Sequence, residues 1–439
     1  MYRSLFFSVL CLFCINFNAQ SPSIDFIEYK LDNGLKVILH ENHNTPIVAV
    51  SVMYHVGAKN ENPERTGFAH FFEHLLFEGS ENIERGEFFK YIENAGGTNN
   101  ANTSNDRTFY YEVLPSNQLE LGLWLESERL MHAKIDTIGV ETQNEVVKEE
   151  KRLRIDNQPY ASFLAEINKR AYTEHPYRWT TIGKMEHLDA ATLDEFMDFY
   201  HKFYVPENAI LSIAGDIDIE NTKKLIEAYF GPIPSGKQKI EPITIVEPPL
   251  KSEIRDTVYD NIQLPGVMMA YRIPEAGTED YYAIELMSMV LSKGGSSRLN
   301  KKCVEKTESA MYVGAFPFDS EDPGLSFVFA IANSEVNPSK LEQEINEEFS
   351  NVQSELISDK EFNKVRNMLE NDFIYNFNSM IGIAEGLANY EMYYGDANLI
   401  NTELERYLKV TKEDIQRVAK KYFVPSNRVI LYYLPKENG

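Results

Sequence analysis

The segment Phe203-Tyr204-Val205-Pro206-Glu207-Asn208-Ala209-Ile210-Leu211 returns late in the chain as Tyr422-Phe423-Val424-Pro425-Ser426-Asn427-Arg428-Val429-Ile430-Leu431, with Val205 and Val424 lying 219 positions apart. Each copy follows an amphipathic helical stretch and leads into an apolar strand. Solenoid repeats recur every 20–50 residues or so, and a period this long reads instead as a duplicated domain. Between the copies, residues 231–249 hold Pro232, Pro234, Pro242, Pro248 and Pro249. Few element interiors tolerate that density of proline, so the stretch reads as a linker. The division that follows is a leader over 1–20, a first domain over 21–230, a linker over 231–250 and a homologous second domain over 251–439.

Working outward from the repeat, residues 26–31 and 35–40 flank Asp32-Asn33-Gly34. An Asn-Gly pair supplies the positive-φ residues of a tight turn, which predicts a hairpin. Residues 47–55 read as a strand. At 66–77 the spacing turns helical and closes at Gly79. Residues 87–94, 119–133 and 140–171 read as further helices and 107–114 as a strand. The fold class is α+β: two homologous domains, each a mainly antiparallel sheet packed with helices.

With 439 residues, 43% hydrophobic and 25% charged, the composition is that of a folded chain and excludes disordered, collagenous or disulfide-rich classes. The 43 Lys and Arg against 67 Asp and Glu give a net charge of −24. No basic surface dominates to release counterions from a polyphosphate, which argues against a nucleic-acid partner. At the N-terminus Arg3 precedes an apolar run over 5–15 and a small-residue exit near Ala19. The run is shorter than the ~20 residues of a membrane-spanning helix and reads as a cleavable signal peptide, which implies a periplasmic or secreted protein with no stable membrane span. Cys11 and Cys14 fall inside that leader without a convincing lipid-attachment context, which ranks lipid anchoring second. Cys303 is then the one cysteine of the mature chain, and no internal disulfide forms.

All nine histidines lie at or before position 201. A histidine-bound metal therefore belongs to the first domain. His70-Phe71-Phe72-Glu73-His74 sits in the helical stretch, where residues four apart share a face. Two imidazoles from one rigid turn suit Zn2+, and the order inverts the His-Glu-x-x-His motif of zinc hydrolases. Burying such groups on an apolar helix is costly unless a metal binds them. A third ligand is required, and Glu145, Glu149 and Glu150 are available. Helical spacing aligns Glu150 with Val146 and Leu153, which predicts that it faces an apolar interface, while Glu149 is rotated by about 100° and stands as the alternative ligand.

His70-Phe71-Phe72-Glu73-His74, with Glu150 further on, resembles the pitrilysin family of zinc metallopeptidases, the inverzincins that include insulin-degrading enzyme and mitochondrial processing peptidase. Further segments carry the likeness: residues 96–104 (Gly-Gly-Thr-Asn-Asn-Ala-Asn-Thr-Ser), His175-Pro176-Tyr177 through Thr181-Ile182-Gly183, and Tyr204 to Asn208 through Gly215-Asp216. The resemblance implies a pair of homologous domains closing as a clamshell around a peptide, with metal ligands only in the first. It implies a peptide substrate added as an extended strand along Asn100, Ala101 and Asn102. It also implies a supporting group seven residues before the ligand Glu, a place usually held by Glu and held here by Gln143. An Arg and a Tyr in the second domain usually hold substrate. Tyr312 stands at the Tyr position, whereas the Arg position is Glu305. By similarity to bacterial relatives, the missing Arg-Tyr surface is then supplied by a metal-free homologous chain in a heterodimer, with a homodimer as runner-up.

The expected activity is zinc-dependent endopeptidase chemistry. His70, His74 and Glu150 hold the ion, which keeps one position open for water, and Glu73 serves as general base. Two other readings stay open: a noncatalytic or partner-dependent subunit of a peptidase-like heterodimer, and a zinc hydrolase acting on something other than peptides.

Overall fold

The computed structural model describes residues 23–436. The signal peptide read from the N-terminus, with Cys11 and Cys14, lies outside the described residues. The first sheet is built from β1 (Ile27–Lys30), β2 (Lys36–Glu41), β3 (Ile47–Tyr54), β4 (Thr98–Thr103), β5 (Thr108–Pro115) and β6 (Ala209–Gly215), in the order β1-β2-β6-β3-β5-β4. β1 and β2 form the antiparallel hairpin expected at Asp32-Asn33-Gly34, with Gly34 at φ 98°. The β2–β6 pair is parallel, and the remaining neighbours are antiparallel.

The second sheet joins β7 (Ile254–Asp260), β8 (Gly266–Arg272), β9 (Ala310–Pro317), β10 (Leu325–Ala332) and β11 (Arg428–Pro435), in the order β7-β11-β8-β10-β9. Apart from β1, the two sheets have the same order and the same pairing senses, including one parallel pair each. The repeated segment has a physical task in both. Pro206–Asn208 and Pro425–Asn427 each form a single tight turn into β6 or β11. Asn208 donates its side-chain amide to the Phe203 carbonyl at 2.9 Å, and Asn427 does the same to the Tyr422 carbonyl at 2.8 Å. The repeat therefore marks where a helix turns back into a central strand. No helix or strand occurs over residues 231–253.

The expectation of one helix over 140–171 needs correcting. Helix Thr137–Lys151 widens into a looser turn at Arg152–Asp156 and stops, and a separate helix runs Phe163–Ala171. Pro159 falls in the break, and Tyr160 sits at φ 64°. The Tyr160 backbone N–H donates to Asp260 at 3.0 Å and its hydroxyl to the Leu264 carbonyl at 2.6 Å, so the break is fastened to the second half.

That break sends helix Phe163–Ala171 onto the other sheet, where Ile167 and Ala171 pack with Met268, Ala270, Phe327 and Leu431. The second half returns the exchange. Helix Met380–Tyr394 lays Ile383, Ala384, Leu387 and Ala388 on Ile38, Ala49, Met53 and Ala214 of the first sheet. The two helices hold corresponding places in the duplication, 219 positions apart. Each sheet's second face is thus buried by the other half, which closes the two domains as a clamshell. No helix among the described residues is long and apolar enough to cross a membrane.

Candidate metal centre

Helix Phe68–Leu75 begins two residues later than its spacing predicts, because Gly67 adopts φ 99°. A Cβ at Gly67 would come within 2.8 Å of the Ile182 carbonyl oxygen. The first turn has no local capping side chain. Glu61 caps it instead: its carboxylate accepts from the Gly67 N–H at 2.8 Å and the Ala69 N–H at 2.9 Å. Burial pushes the Glu61 carboxyl up to about 8, against the lowering effect of these N–H groups.

At the other end, buried Arg129 donates to the Leu76 carbonyl at 3.3 Å and pairs with Glu126 at 3.1 Å and Glu112 at 3.3 Å. Phe71 stacks on Phe196 and Phe72 on Phe199, their ring centroids 4.9 and 5.3 Å apart. A short helix carrying polar chemistry is held at both ends and along its apolar face.

His70 and His74 share the remaining face, ring centroids 4.9 Å apart. Glu150 reaches them from helix Thr137–Lys151, its Oε2 3.5 Å from His70 Nε2 and 2.9 Å from His74 Nε2. One ligand-capable atom from each of the three lies within 4.8 Å of the others, the one such trio among the described residues. The buried His70 Nδ1 has no hydrogen-bond partner, and Glu150 Oε2 meets the imidazoles of His70 and His74. Two imidazoles and a carboxylate oxygen brought within 4.8 Å of one another are the donor set of a divalent metal such as zinc, so the residues fit that ion. Burial, then the neighbouring His74, lowers His70 to about 4, which favours the neutral ring a metal needs. Contact with His74 is the largest influence holding Glu150 below the usual carboxylate range, and its other oxygen takes Arg154 at 2.7 Å.

Glu73 lies on the same helix but outside the trio. Its carboxylate accepts from the Thr103 hydroxyl at 2.6 Å. Burial raises its pKa and the Thr103 bond opposes the rise. Asn100, Ala101 and Asn102 lie in β4, the edge strand of the first sheet, which pairs with β5 alone. Thr103 ends that strand, so Glu73 and the open edge are adjacent.

Three expectations fare differently. Glu150 does converge on the histidines, but the apolar stripe used to choose it is not an interface: Val146 is 43% and Leu153 56% exposed. The buried residue of that helix face is Val147, one turn before Glu150. Glu149 instead pairs with Arg152 at the surface. Gln143 turns its amide to Glu78 rather than to the trio. Tyr312, on edge strand β9, is 51% exposed and packs against Phe329 with centroids 6.1 Å apart. Glu61, Arg129 and Thr103 escaped the sequence reading because each acts across a fold contact that no local motif marks.

A helix-borne histidine pair facing a carboxylate from a second helix, in one half of a duplicated α+β chain, defines the class of inverted-motif metallopeptidase folds. Residues 36–184 match the family model described as insulinase (peptidase family M16), and residues 190–369 match that of the peptidase M16 inactive domain. The chain belongs to the M16, or pitrilysin, family. It is 29% identical over 421 residues to the zinc protease PqqE of Helicobacter pylori, covering 95% of each chain. The beta subunit of the mitochondrial-processing peptidase of Saccharomyces cerevisiae is 23% identical over 406 residues, covering 88% of this chain and 86% of that one. The crystal structure of a protease from Helicobacter pylori superposes with a TM-score of 0.89 at 28% identity, covering 94% of this chain and all of that one.

Proposed function

We propose that the chain is a zinc-dependent endopeptidase that hydrolyses peptides held as an extended strand in the clamshell. The observation that carries this reading is the convergence of His70, His74 and Glu150 beside a Glu73 that is near the metal position yet free of it. His70, His74 and Glu150 would hold the ion, and bound zinc supplies Lewis acidity that makes water a usable nucleophile near neutral pH. Glu73 takes the proton of the attacking water and returns it to the leaving amine. Its raised pKa suits both transfers better than that of an exposed carboxylate would. The open edge of β4, at Asn100, Ala101 and Asn102, offers backbone groups for strand addition. The naming of the Helicobacter relative as a zinc protease supports the metal and the reaction class.

We assign 21–230 as the metal-binding domain, 231–250 as linker and 251–439 as its metal-free counterpart, and read the N-terminal leader as a signal for export to the periplasm or beyond. A second reading, a subunit that acts only with a partner, is favoured by the exposed Tyr312 and by Glu305 at the usual Arg position. The yeast relative is itself named as a subunit. The partner would be a metal-free homologous chain or a second copy.

The test is hydrolysis of a quenched fluorescent peptide by the purified protein, after chelation and after zinc is restored. Cleavage that chelator abolishes and zinc restores is expected. Zinc-loaded protein that is silent alone, but active with a homologous chain lacking the His-x-x-Glu-His motif, would support the subunit reading. Cleavage that survives complete metal removal would contradict both.

A further inference from the structure

Among the described residues the second half has no metal-ligand trio, yet it grips one feature of the first half at several points: the turn between β4 and β5. Arg107, at the end of that turn, spans the halves. One arm of its guanidinium donates to the Asn102 side-chain oxygen, on β4 itself. The other donates to Glu385 of helix Met380–Tyr394 at 2.6 Å, an ion pair largely shielded from solvent on the arginine side.

One residue earlier, Asp106 accepts from the Glu321 backbone N–H at 3.2 Å and from the Tyr177 hydroxyl at 2.6 Å. The same tyrosine oxygen accepts from the Asp322 N–H at 3.1 Å. Lys59 sits between these groups, 3.0 Å from Asp106 and 3.2 Å from Asp322, and also pairs with Glu321. Within the turn, the Ser104 N–H donates to the Arg107 carbonyl at 2.8 Å.

An edge strand with one neighbour lacks the second ladder that fixes a central strand, and its free backbone groups receive an incoming chain only if the strand is held extended. β4 is such a strand, and its last two residues are tied on opposite sides: Thr103 to Glu73, Asn102 to Arg107. We propose that Arg107 and Glu385 are positioning residues for peptide binding, through which the metal-free half holds the β4 edge in place. This rests on the strand-addition reading above and assigns the second half a direct part in it. Neither residue touches substrate; both act through Asn102.

The test uses the full-length zinc-loaded protein in a Glu73→Gln background, so that peptide binds without turnover, with fluorescein-labelled casein peptides as probe and anisotropy as readout. Arg107→Ala and Glu385→Ala are each expected to weaken binding about fivefold to tenfold, and the double substitution no more than either alone, as for one coupled pair. Arg107→Lys should recover part of the loss, since it keeps the charge without the two-armed geometry. Glu385→Gln, which keeps size and removes charge, serves should the alanine variant fold poorly. Zinc content is expected to stay at wild-type level in every variant. Unchanged affinity in both single variants, or losses that simply add, would overturn the proposal. Peptide binding with the coupled losses, from a protein that with Glu73 intact cleaves nothing, would sustain the positioning role while the peptidase reading falls. Cleavage by the Glu73 protein with affinities insensitive to both substitutions would do the reverse. No binding of peptide to the Glu73→Gln protein would overturn the positioning role outright.

Discussion

The two halves follow one plan and fill its central position with opposite chemistry. At 219 positions beyond His70, Glu73, His74 and Glu150 stand Met289, Ser292, Lys293 and Leu369. Met289 and Leu369 are buried in the second half's core. Ser292 donates to the Ala315 carbonyl at 2.8 Å, and Lys293 turns to Asp372 at 3.1 Å. The fold is therefore content with apolar side chains at the places of His70 and Glu150, and with a lysine turned away to Asp372 at the place of His74. Maintaining those polar groups costs desolvation that packing does not return, and a bound cation offsets it. The first half also carries supports that this chemistry requires, the Glu61 cap and the Arg129 clamp. In the second half the corresponding helix, Glu279–Ser292, is longer and capped locally by Thr278.

Substitutions that blur the difference between the halves test this contrast. The largest effect is expected at Glu73. Glu73→Gln should bind zinc as the parent does and lose peptide hydrolysis by about 10³-fold, read as kcat/KM beside metal content; near-parental turnover would remove Glu73 from the mechanism. Next, placing first-half chemistry alone into the second half should fail. Leu369→Glu puts a carboxylate where no imidazole pair faces it, and should destabilise the protein by about 3 kcal/mol in urea unfolding. A neutral result would mean that the apolar filling is incidental.

A smaller effect is expected from the cap. Glu61→Ala leaves two N–H groups of the ligand helix unsatisfied and should cost about 1–2 kcal/mol, with weaker zinc retention under dialysis. The finest test is a pH profile. Burial already raises Glu73, and the Thr103 hydroxyl counteracts this. Removing the hydroxyl in Thr103→Val raises the carboxyl further, so less of the base is ionised at a given pH and the acid limb of kcat/KM moves to higher pH. A limb that stays in place, or moves down, would show that the Thr103 bond does not govern the base.

Much of this was legible in the chain itself, and the reasons are local. The Asn-Gly hairpin, the strands around it and the duplicated Val-Pro turn are set by residues adjacent in sequence, and the distribution of the histidines pointed to the half in which His70, His74 and Glu150 converge. The spacing of His70 and His74 is a property of one helical turn. Glu150 was reached by an argument that the structure corrects, since Val146 and Leu153 are exposed, and Val147 rather than either of them is buried. The break at Pro159 and Tyr160 was missed because helical periodicity continues across it, and what ends the helix is attachment to Asp260 and Leu264, about a hundred residues away. The helix exchange, the Thr103–Glu73 bond and the Arg107–Glu385 pair likewise join residues whose proximity exists only after the two sheets have assembled.

The most direct test of the central claim is anomalous diffraction at the zinc absorption edge from crystals grown with one equivalent of the ion. The account predicts a single peak at about 2.0–2.2 Å from one nitrogen each of His70 and His74 and from an oxygen of Glu150, with Glu73 outside bonding distance. A peak elsewhere, or none at that position while Glu150 turns away from the histidines, would contradict it.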